Sequence, residues 1–313
     1  MSSINFADQL IDEMKRKQSR VIVGLDPVRE HAPESMQKIA LTYHGMGNRE
    51  IRSASRWGIR EFCERIIEAT DDVAVAYKVQ IAFFEKFGSM GLAILERLLE
   101  EYEDKLFIID GKRGDIGHTS GAYAEAFFYS EEGDMAPLLC DAVTLNPYMG
   151  RDVVDPFMPY LKKDKGAFVL AKTSNPSSSD IQDIALNGVT VAESIAAKVS
   201  EWGADCVGDH GYSSLGLVVG ATFPEMARKI REAAPKSIIL VPGIGFQGGQ
   251  ANDAAAFCND DGQGAVFSFS RSIIFANKFG PFKGRYEDAQ YPEAARVAAE
   301  HYRVAINDIV GKP

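Results

Sequence analysis

The sequence predicts an α/β protein folded as a closed (β/α)8 barrel, also called a TIM barrel. Eight short apolar runs alternate along the chain with helix-like segments, and most of these runs are continuous stretches of Val, Ile, Leu and Phe. Such stretches are typical of parallel strands that are buried on both faces. Eight strands alternating with helices favour a closed barrel. A doubly wound open sheet is the alternative, and it is disfavoured because no Gly-x-Gly-x-x-Gly follows the first run.

Each apolar run is followed by Gly, Pro, Asn or Asp, and then by a helix-like segment. The strands are predicted at 20–26, 73–80, 106–112, 141–147, 167–173, 215–222, 237–245 and 264–271. Amphipathic patterns predict helices at 59–70, 93–103, 190–202, 224–234 and 291–310. Because no linker, repeat or low-complexity tract divides the chain, a single domain is predicted over residues 1–313.

Three connecting or terminal segments have their own character. Residues 1–20 predict an amphipathic N-terminal helix and not a signal peptide, because Asp8, Asp12 and Glu13 interrupt any apolar stretch. The first connection between a strand and the next, 27–72, is long and is expected to carry a loop before its helix. The Gly- and Asp-rich segment 202–215 is expected to be an excursion on the surface.

Composition restricts the possible partners. The 313 residues carry a formal net charge of -10, which argues against nonspecific binding to nucleic acid or to an anionic membrane surface. No apolar run is long enough to span a bilayer. The five histidines lack metal-ligand spacing, and no two cysteines form a Cys-x-x-Cys pair. We therefore expect no metal site and free thiols in a reducing cytoplasm, at Cys63, Cys140, Cys206 and Cys258.

The segment 107–116 concentrates charged residues at the end of an apolar run. Asp110 and Lys112 come directly after the run, and Asp115 follows. Residues two apart on a strand point the same way, so Asp110 and Lys112 are expected side by side. Placing them at the end of a buried strand costs desolvation, which favours a functional use. The alternative is a structural ion pair, which also occurs at strand ends.

Polar residues also end the other predicted strands, which is where barrel enzymes place their active sites. They include Asp26, Lys78, Gln80, Asn146, Lys172, Ser174, Thr222, Gln247, Ser270 and Arg271. Loops after strands seven and eight frequently form a phosphate site. Glycines at 243, 245, 248 and 249 would let backbone N–H groups approach an anion beside the arginine. The alternative is a set of turn glycines and a surface arginine.

Two of these residues have a second interpretation. Ser174 lies in a Ser-rich loop, where it would either cap a turn or hydrogen-bond the polar ring edge of a ligand. Asp26 and Lys78 would either act on a ligand or pair with each other as a structural ion pair across strands one and two. The sequence of these segments leaves both choices open.

Taken together, these strand ends resemble the orotidine 5′-phosphate decarboxylase family, in its longer bacterial subgroup. The stretch 110–119, Asp-Gly-Lys-Arg-Gly-Asp-Ile-Gly-His-Thr, is similar to the family's Asp-x-Lys-x-x-Asp-Ile motif. The stretches 242–249 and 268–271 resemble its phosphate loops, and 173–176 resembles its pyrimidine-contacting loop. Two positions depart from the pattern, in which alanine is common at both: Gly111 and Phe246.

The resemblance implies decarboxylation of orotidine 5′-monophosphate to uridine 5′-monophosphate, the last step of de novo pyrimidine nucleotide synthesis. It implies no cofactor, a proton donated by Lys112 to C6 of the pyrimidine, and a homodimer in which each site borrows Asp115 and Thr119 from the partner chain. The implied catalytic residues are Lys78, Asp110, Lys112 and Asp115. The implied substrate-binding residues are Asp26, Lys78, Thr119, Ser174, Gln247, Ser270 and Arg271.

Three rival functions stay open at this point. A Schiff-base aldolase would need Lys112 to lose its proton, and the carboxylates on either side oppose that loss. A magnesium-dependent phosphosugar relative would be expected to carry an acidic metal ligand after strand two, where Lys78 stands instead. A phosphate-binding module without catalysis would have little use for the pairing of Lys112 with Asp115.

Overall fold

The computed structural model describes residues 5–36, 48–129, 138–243 and 251–313, and it confirms the predicted closed barrel. The strands are β1 (Val21–Leu25), β2 (Ala76–Gln80), β3 (Phe107–Arg113), β4 (Ala142–Leu145), β5 (Gly166–Lys172), β6 (Ala185–Leu186), β7 (Val189–Thr190), β8 (Ser213–Val219), β9 (Ser237–Pro242) and β10 (Ala265–Phe269). Eight of them pair in parallel in the order β1-β10-β9-β8-β5-β4-β3-β2, and β2 pairs with β1 to close the ring. Each barrel strand overlaps one predicted run.

Most of the helices connect consecutive barrel strands and cover the outside of the ring, as parallel strand connections require, and the others lie before β1 or after β10. They are α1 (Phe6–Lys17), α2 (Asn48–Thr70), α3 (Ala82–Glu85), α4 (Ser89–Glu101), α5 (Gly117–Phe127), α6 (Met158–Leu161), α7 (Ser179–Gln182), α8 (Val191–Trp202), α9 (Pro224–Ala233), α10 (Arg271–Ile274) and α11 (Tyr291–Val310). Among the described residues, no helix is both long and apolar enough to cross a membrane.

Side chains of the barrel strands form two apolar layers, because successive residues of a strand point to opposite faces. On β5, Ala167 and Val169 belong to the outer layer beneath the helices, whereas Phe168 belongs to the inner layer. Ile22, Ile108 and other residues of the remaining strands complete that inner layer. The continuous apolar runs of the sequence follow from this arrangement, since both faces of every strand are buried.

The predicted N-terminal helix is confirmed as α1, and it closes the N-terminal end of the barrel. Its first turn is capped by Asn5, whose side-chain oxygen accepts a hydrogen bond of 2.8 Å from the N–H of Ala7. Phe6 meets Phe168 of the inner layer edge to face, with ring centroids 6.0 Å apart. Leu10, like Phe6, is fully buried in the same cluster. The helix therefore joins the barrel core.

Several features differ from the predicted elements or extend them. Helix α2 begins at Asn48, well before the predicted 59, and residues 37–47 of the long first connection lie outside the described part of the chain. Helix α5, the hairpin of β6 and β7, and the four-residue helices α3, α6, α7 and α10 are not among the predicted elements. The expected surface excursion at 202–215 is tied to α1, because the N–H groups of Asp209 and His210 both donate to the Asp8 carboxylate at 2.8 Å.

Candidate active site

A cavity of about 380 Å³ opens at the C-terminal end of the barrel. It is lined by residues from the ends of all eight barrel strands, in agreement with the expectation for a barrel active site. Of the ten catalytic and substrate-binding residues that the resemblance implies, seven line it: Asp26, Lys78, Asp110, Lys112, Ser174, Ser270 and Arg271. The barrel therefore brings together residues that are distant in the sequence.

The centre of the cavity is an array of two lysines and one aspartate. Lys78 Nζ lies 2.9 Å from Asp110 Oδ2, and Lys112 Nζ lies 2.5 Å from Asp110 Oδ1. The side chains of Lys78 and Asp110 are only 7% and 11% exposed, whereas that of Lys112 is 43% exposed and faces the cavity. The buried pair thus supports a lysine whose ammonium group is open to a ligand.

Asp110 also accepts hydrogen bonds from two further side chains, which the sequence does not predict as its partners. Thr144 Oγ1 donates to Asp110 Oδ1 at 2.9 Å, and Gln80 Nε2 donates to Asp110 Oδ2 at 3.2 Å. With the two lysines, these groups give each carboxylate oxygen two hydrogen-bond donors. Four donors hold Asp110 in place and favour its ionised form.

Thr144 stands inside an apolar run, where it is indistinguishable from a core residue in the sequence. The polar residue predicted for the cavity at the end of this strand is Asn146 instead. In the structure, Asn146 caps the turn that follows β4, accepting a hydrogen bond of 3.2 Å from the N–H of Tyr148, and it does not line the cavity. The available signal for Thr144 was a lone hydroxyl at an inward position of a buried strand.

The charges of the array shift two pKa values in opposite directions. Burial alone would raise the pKa of the Asp110 carboxyl, but the ammonium groups of Lys78 and Lys112 outweigh it and hold this pKa far below its usual range. Burial alone would lower the pKa of Lys78, but the charges of Asp110 and Asp26 outweigh it and raise this pKa. Asp110 and Lys78 are therefore both charged at neutral pH.

Lys112 has an unusual backbone conformation. Its φ is 46°, in the left-handed region that non-glycine residues rarely adopt. The pairing of β3 with β4 shifts register between Ile109 and Arg113, and the N–H of Lys112 donates to Thr144 Oγ1 at 2.9 Å. Such backbone strain persists only where neighbouring contacts impose it, and it is concentrated at functional sites.

Asp26 lines the cavity directly after β1, the strand that pairs with β2 and its Lys78. The possible structural pair with Lys78 is not formed: among the described residues, Lys78 makes its ion pair with Asp110. Asp26 Oδ1 is buried and has no hydrogen-bond partner in the described chain. A buried acceptor without a donor is costly, so this oxygen is well placed to accept a hydrogen bond from a ligand hydroxyl.

Two glycines allow the cavity residues Ser270 and Ser174 to pack directly against the backbone of a neighbouring segment. A Cβ on Gly24 would lie 2.0 Å from Ser270 Oγ, and a Cβ on Gly220 would lie 2.7 Å from the backbone of Ser174. Only glycine permits these approaches. Gly243, at the cavity wall, has a φ of 97°, so a turn opens directly after β9.

The predicted phosphate loop is only partly described. Gly243 and Arg271 line the cavity side by side with Ser272, at the ends of β9 and β10. Gln247, Phe246 and the glycines at 245, 248 and 249 lie outside the described residues. Their part in an anion site therefore stays a prediction.

Asp115 and Thr119 do not line the cavity of their own chain. Asp115 Oδ1 accepts a hydrogen bond of 2.8 Å from the N–H of the next residue, Ile116. Thr119 is exposed on α5. Among the described residues, no group of three or more His, Cys, Asp or Glu side chains could hold a metal ion.

Fold and site together define a (β/α)8-barrel enzyme with a charged active site at the C-terminal ends of its strands. Residues 19–278 match the model of the orotidine 5′-phosphate decarboxylase / HUMPS family. The chain therefore belongs to this family, and it is a carboxy-lyase of pyrimidine nucleotide synthesis.

Individual relatives cover nearly the whole chain. An orotidine 5′-phosphate decarboxylase of Caldicellulosiruptor bescii is 37% identical over 310 residues, which are 97% of this chain and 98% of the relative. That of Roseiflexus castenholzii is 39% identical over 306 residues, 97% of this chain and 98% of the relative. The structure of Leishmania donovani OMP decarboxylase superposes with a TM-score of 0.73 at 32% identity and covers 99% of this chain and 100% of that one.

Proposed function

We propose that this chain decarboxylates orotidine 5′-monophosphate to uridine 5′-monophosphate without a cofactor, and that Lys112 donates the proton. The observation that carries this proposal is the contact of Lys112 with an ionised, buried Asp110 in the cavity. Family membership supports the substrate and the reaction. The charged array supports the assignment of the residues.

The chemical step balances with the residues of the array. The bond between C6 of the pyrimidine and its carboxylate breaks, carbon dioxide leaves, and the electron pair stays on C6. Lys112 Nζ transfers a proton to C6, and the neutral amine regains a proton from water. An ammonium group preorganised by Asp110 also stabilises the negative charge that develops on C6 before the proton arrives.

The array restricts where the substrate carboxylate can lie. In this proposal, the departing carboxylate faces Asp110, and Lys112 lies beside both. Lys78, which is buried and paired with Asp110, keeps the array rigid and reaches the ribose hydroxyls together with Asp26. Rigid charged groups accelerate a reaction because they need no reorganisation when charge develops.

The remaining cavity residues divide between the two ends of the nucleotide. We place the phosphate at Arg271, next to Ser270 and the turn at Gly243, because an arginine and open backbone N–H groups suit an anion. Gln247, which follows this turn in the sequence, is proposed as a further phosphate ligand. Ser174 is placed at the polar edge of the pyrimidine.

We propose further that the active enzyme is a homodimer, in which Asp115 and Thr119 of each chain complete the site of its partner. Both residues follow the cavity residue Lys112 closely in the sequence, but neither of them lines the cavity of its own chain. The neighbouring apolar side chains of Ile116, Tyr148 and Met149 are 51%, 83% and 52% exposed. Exposed apolar side chains that group together mark interaction surfaces.

Complementation between two inactive variants tests the shared site. Lys112→Ala and Asp115→Ala chains would be refolded together in equal amounts. Each mixed dimer would contain one site with both changes and one intact site, so about a quarter of the wild-type activity should return. No recovery, from chains that do form mixed dimers, would show that each chain uses its own Asp115.

The reaction itself is tested by the loss of ultraviolet absorbance of orotidine 5′-monophosphate in the presence of EDTA. We expect rapid loss with the wild-type protein, and we expect the Lys112→Ala variant to abolish it. Lys162→Ala, at an exposed lysine that pairs with Asp205 at 3.4 Å, is the matched control. Activity that disappears with EDTA and returns with magnesium would contradict the cofactor-free reaction.

We also propose a cytoplasmic location. The cysteines of the chain are all buried and unpaired, as expected for a protein that folds in a reducing compartment. Fractionation of cells that produce the tagged protein would test this, and recovery from an extracytoplasmic fraction would contradict it.

A further inference from the structure

A second buried lysine, Lys172, lies at the end of β5 but outside the active-site cavity. Its side chain is only 1% exposed. Nζ lies 2.6 Å from Asp183 Oδ1 and 4.3 Å from the centre of the Phe223 ring. None of the steps proposed above uses this ammonium group, although burying it costs desolvation that only close partners offset.

A register shift turns Lys172 away from the cavity. Phe168 and Leu170 contact the inner apolar layer of the barrel, so simple alternation would aim residue 172 inward as well. The pairing of β5 with β8 shifts between Leu170 and Lys172, and Lys172 lies opposite Val219, which belongs to the outer layer. Such irregularities re-aim side chains next to active sites.

The ion pair closes the base of the loop at 173–182. Lys172 directly precedes this loop, and Asp183 directly follows it. A second closure lies just inside the first: the N–H of Thr173 donates to Gln182 Oε1 at 2.8 Å, and Gln182 Nε2 donates to Thr173 Oγ1 at 2.9 Å. Both ends of the loop are thus held together by side chains.

The start of this loop forms one wall of the cavity, through Thr173, Ser174 and Asn175. Most of the residues that follow are exposed, from Asn175 to the tip of the hairpin, with Ser178 as the buried exception. A segment with so little buried surface takes its position mainly from its anchored ends. Of the two contacts that close the loop, the ion pair between Lys172 and Asp183 is the one that contains a buried charge, that of Lys172.

We infer that Lys172 is a positioning residue: through its ion pair with Asp183, it holds the 173–182 loop so that Ser174 meets the bound substrate. Lys172 itself does not touch the substrate. This inference rests on the proposed function, because it assumes that Ser174 contacts the pyrimidine. It predicts that Lys172 and Ser174 act as one unit.

A double-mutant cycle in kcat/KM tests that unit. Lys172→Met removes the charge but keeps the length and burial of the side chain. We expect Lys172→Met and Ser174→Ala each to lower kcat/KM by about tenfold to a hundredfold, since misplacement of a positioning contact has effects of this size. The double variant should be no worse than the more damaging single variant.

Two further variants guard against a purely structural effect. Asp183→Asn combined with Lys172→Met leaves no unpaired buried charge, so this pair should fold and should match Lys172→Met in kcat/KM. Lys162→Met, at the exposed lysine paired with Asp205, should leave kcat/KM unchanged. Circular dichroism of each variant checks that the barrel is intact.

Several outcomes would overturn the inference. Unchanged kcat/KM in Lys172→Met would do so, as would losses that multiply in the double variant, or a Ser174→Ala variant without effect. A wild-type protein that does not decarboxylate orotidine 5′-monophosphate would refute the proposed function instead. In that case, limited proteolysis decides: Lys172→Met should speed cleavage within 173–182, and an unchanged cleavage rate would refute the anchor.

Discussion

The two ends of the barrel are formed by the same eight strands, yet they are built in opposite ways. At the N-terminal end, Phe6, Leu10 and Met14 of α1 are buried and pack on the inner apolar layer. At the C-terminal end, the interior opens into a cavity that contains Lys112 and Asp110 in direct contact.

The difference shows how one fold separates stability from activity. The closed end buries apolar surface, which stabilises the fold. The open end contains a desolvated ion pair and a lysine with a φ of 46°, both of which cost free energy. The largest effects of substitutions at the open end should therefore be on catalysis, and the largest effects at the closed end should be on the free energy of unfolding.

Lys112→Ala should give the largest effect, and it should appear only in activity. Loss of the proton donor and of its charge is expected to lower kcat/KM by about ten-thousandfold, the upper range for general acid catalysis. Its side chain is 43% exposed, so the free energy of unfolding should change little. Steady-state kinetics and urea unfolding measure the two quantities on the same preparation. If Lys112→Ala also lowered the free energy of unfolding substantially, activity and stability would not be separated in the way described here.

Phe6→Ala should give the largest effect on stability. The side chain is fully buried against Phe168, and its removal leaves a cavity, so we expect a loss of about 3–5 kcal/mol in the free energy of unfolding. The kcat/KM of the folded fraction should stay at the wild-type value. Val297→Ala, at an exposed apolar side chain, is the control and should change stability by less than about 0.5 kcal/mol.

The pH dependence of stability sharpens the comparison at the open end. The pKa of Asp110 is lowered in the folded state, so its stabilising contribution is present above its unfolded pKa of about 3.9 and is lost as the pH falls through the folded value. Lys78 has a raised pKa, so its contribution is complete below about pH 10.4 and is lost as the pH rises through the folded value.

Urea unfolding of the wild type and Asp110→Asn from pH 3 to pH 7 isolates the first contribution. The stability advantage of the wild type over this variant should shrink steadily as the pH falls below about 4. An advantage that stays constant down to pH 3 would mean that Asp110 is not stabilised in its ionised form.

Gly111→Ala should give the smallest effect, and it should be stabilising. The nearest atom to a Cβ at this position is Arg113 Cγ at 3.7 Å, an ordinary contact, and φ is not positive. The free energy of unfolding should rise by about 0.4–1 kcal/mol, because alanine restricts the unfolded chain. Gly24→Ala is the matched control, and it should destabilise, since its Cβ would lie 2.0 Å from Ser270 Oγ. Equal effects of the two changes would contradict the packing described here.

Local pattern predicted a large part of this protein. Apolar runs with polar ends located all eight barrel strands, and the polar ends located Asp26, Ser174 and Arg271 in one cavity. These predictions succeeded because burial on both faces of a strand requires a continuous run of apolar residues, and exposure at its end allows polar residues there. Helix α1 was predicted for a similar reason, since the amphipathic spacing of its residues is a local feature.

Other assignments needed the folded chain. Thr144 looked like a core residue, and Lys172 looked like a cavity residue until the register shift in β5 turned it outward. The sequence left open whether Asp26 forms an ion pair with Lys78, and in the structure Lys78 forms its ion pair with Asp110. Strand register and bulges depend on contacts between distant segments, so they leave no reliable local pattern.

The sequence by itself determined the barrel, its charged strand ends and the similarity to a decarboxylase family, because alternation and motif spacing are properties of neighbouring residues. Only the tertiary structure decided that one aspartate contacts both lysines, that Lys112 takes a left-handed conformation, and that a second lysine anchors a loop. Those outcomes depend on which strands meet and on how much water they exclude. Both are set when the ring of strands closes.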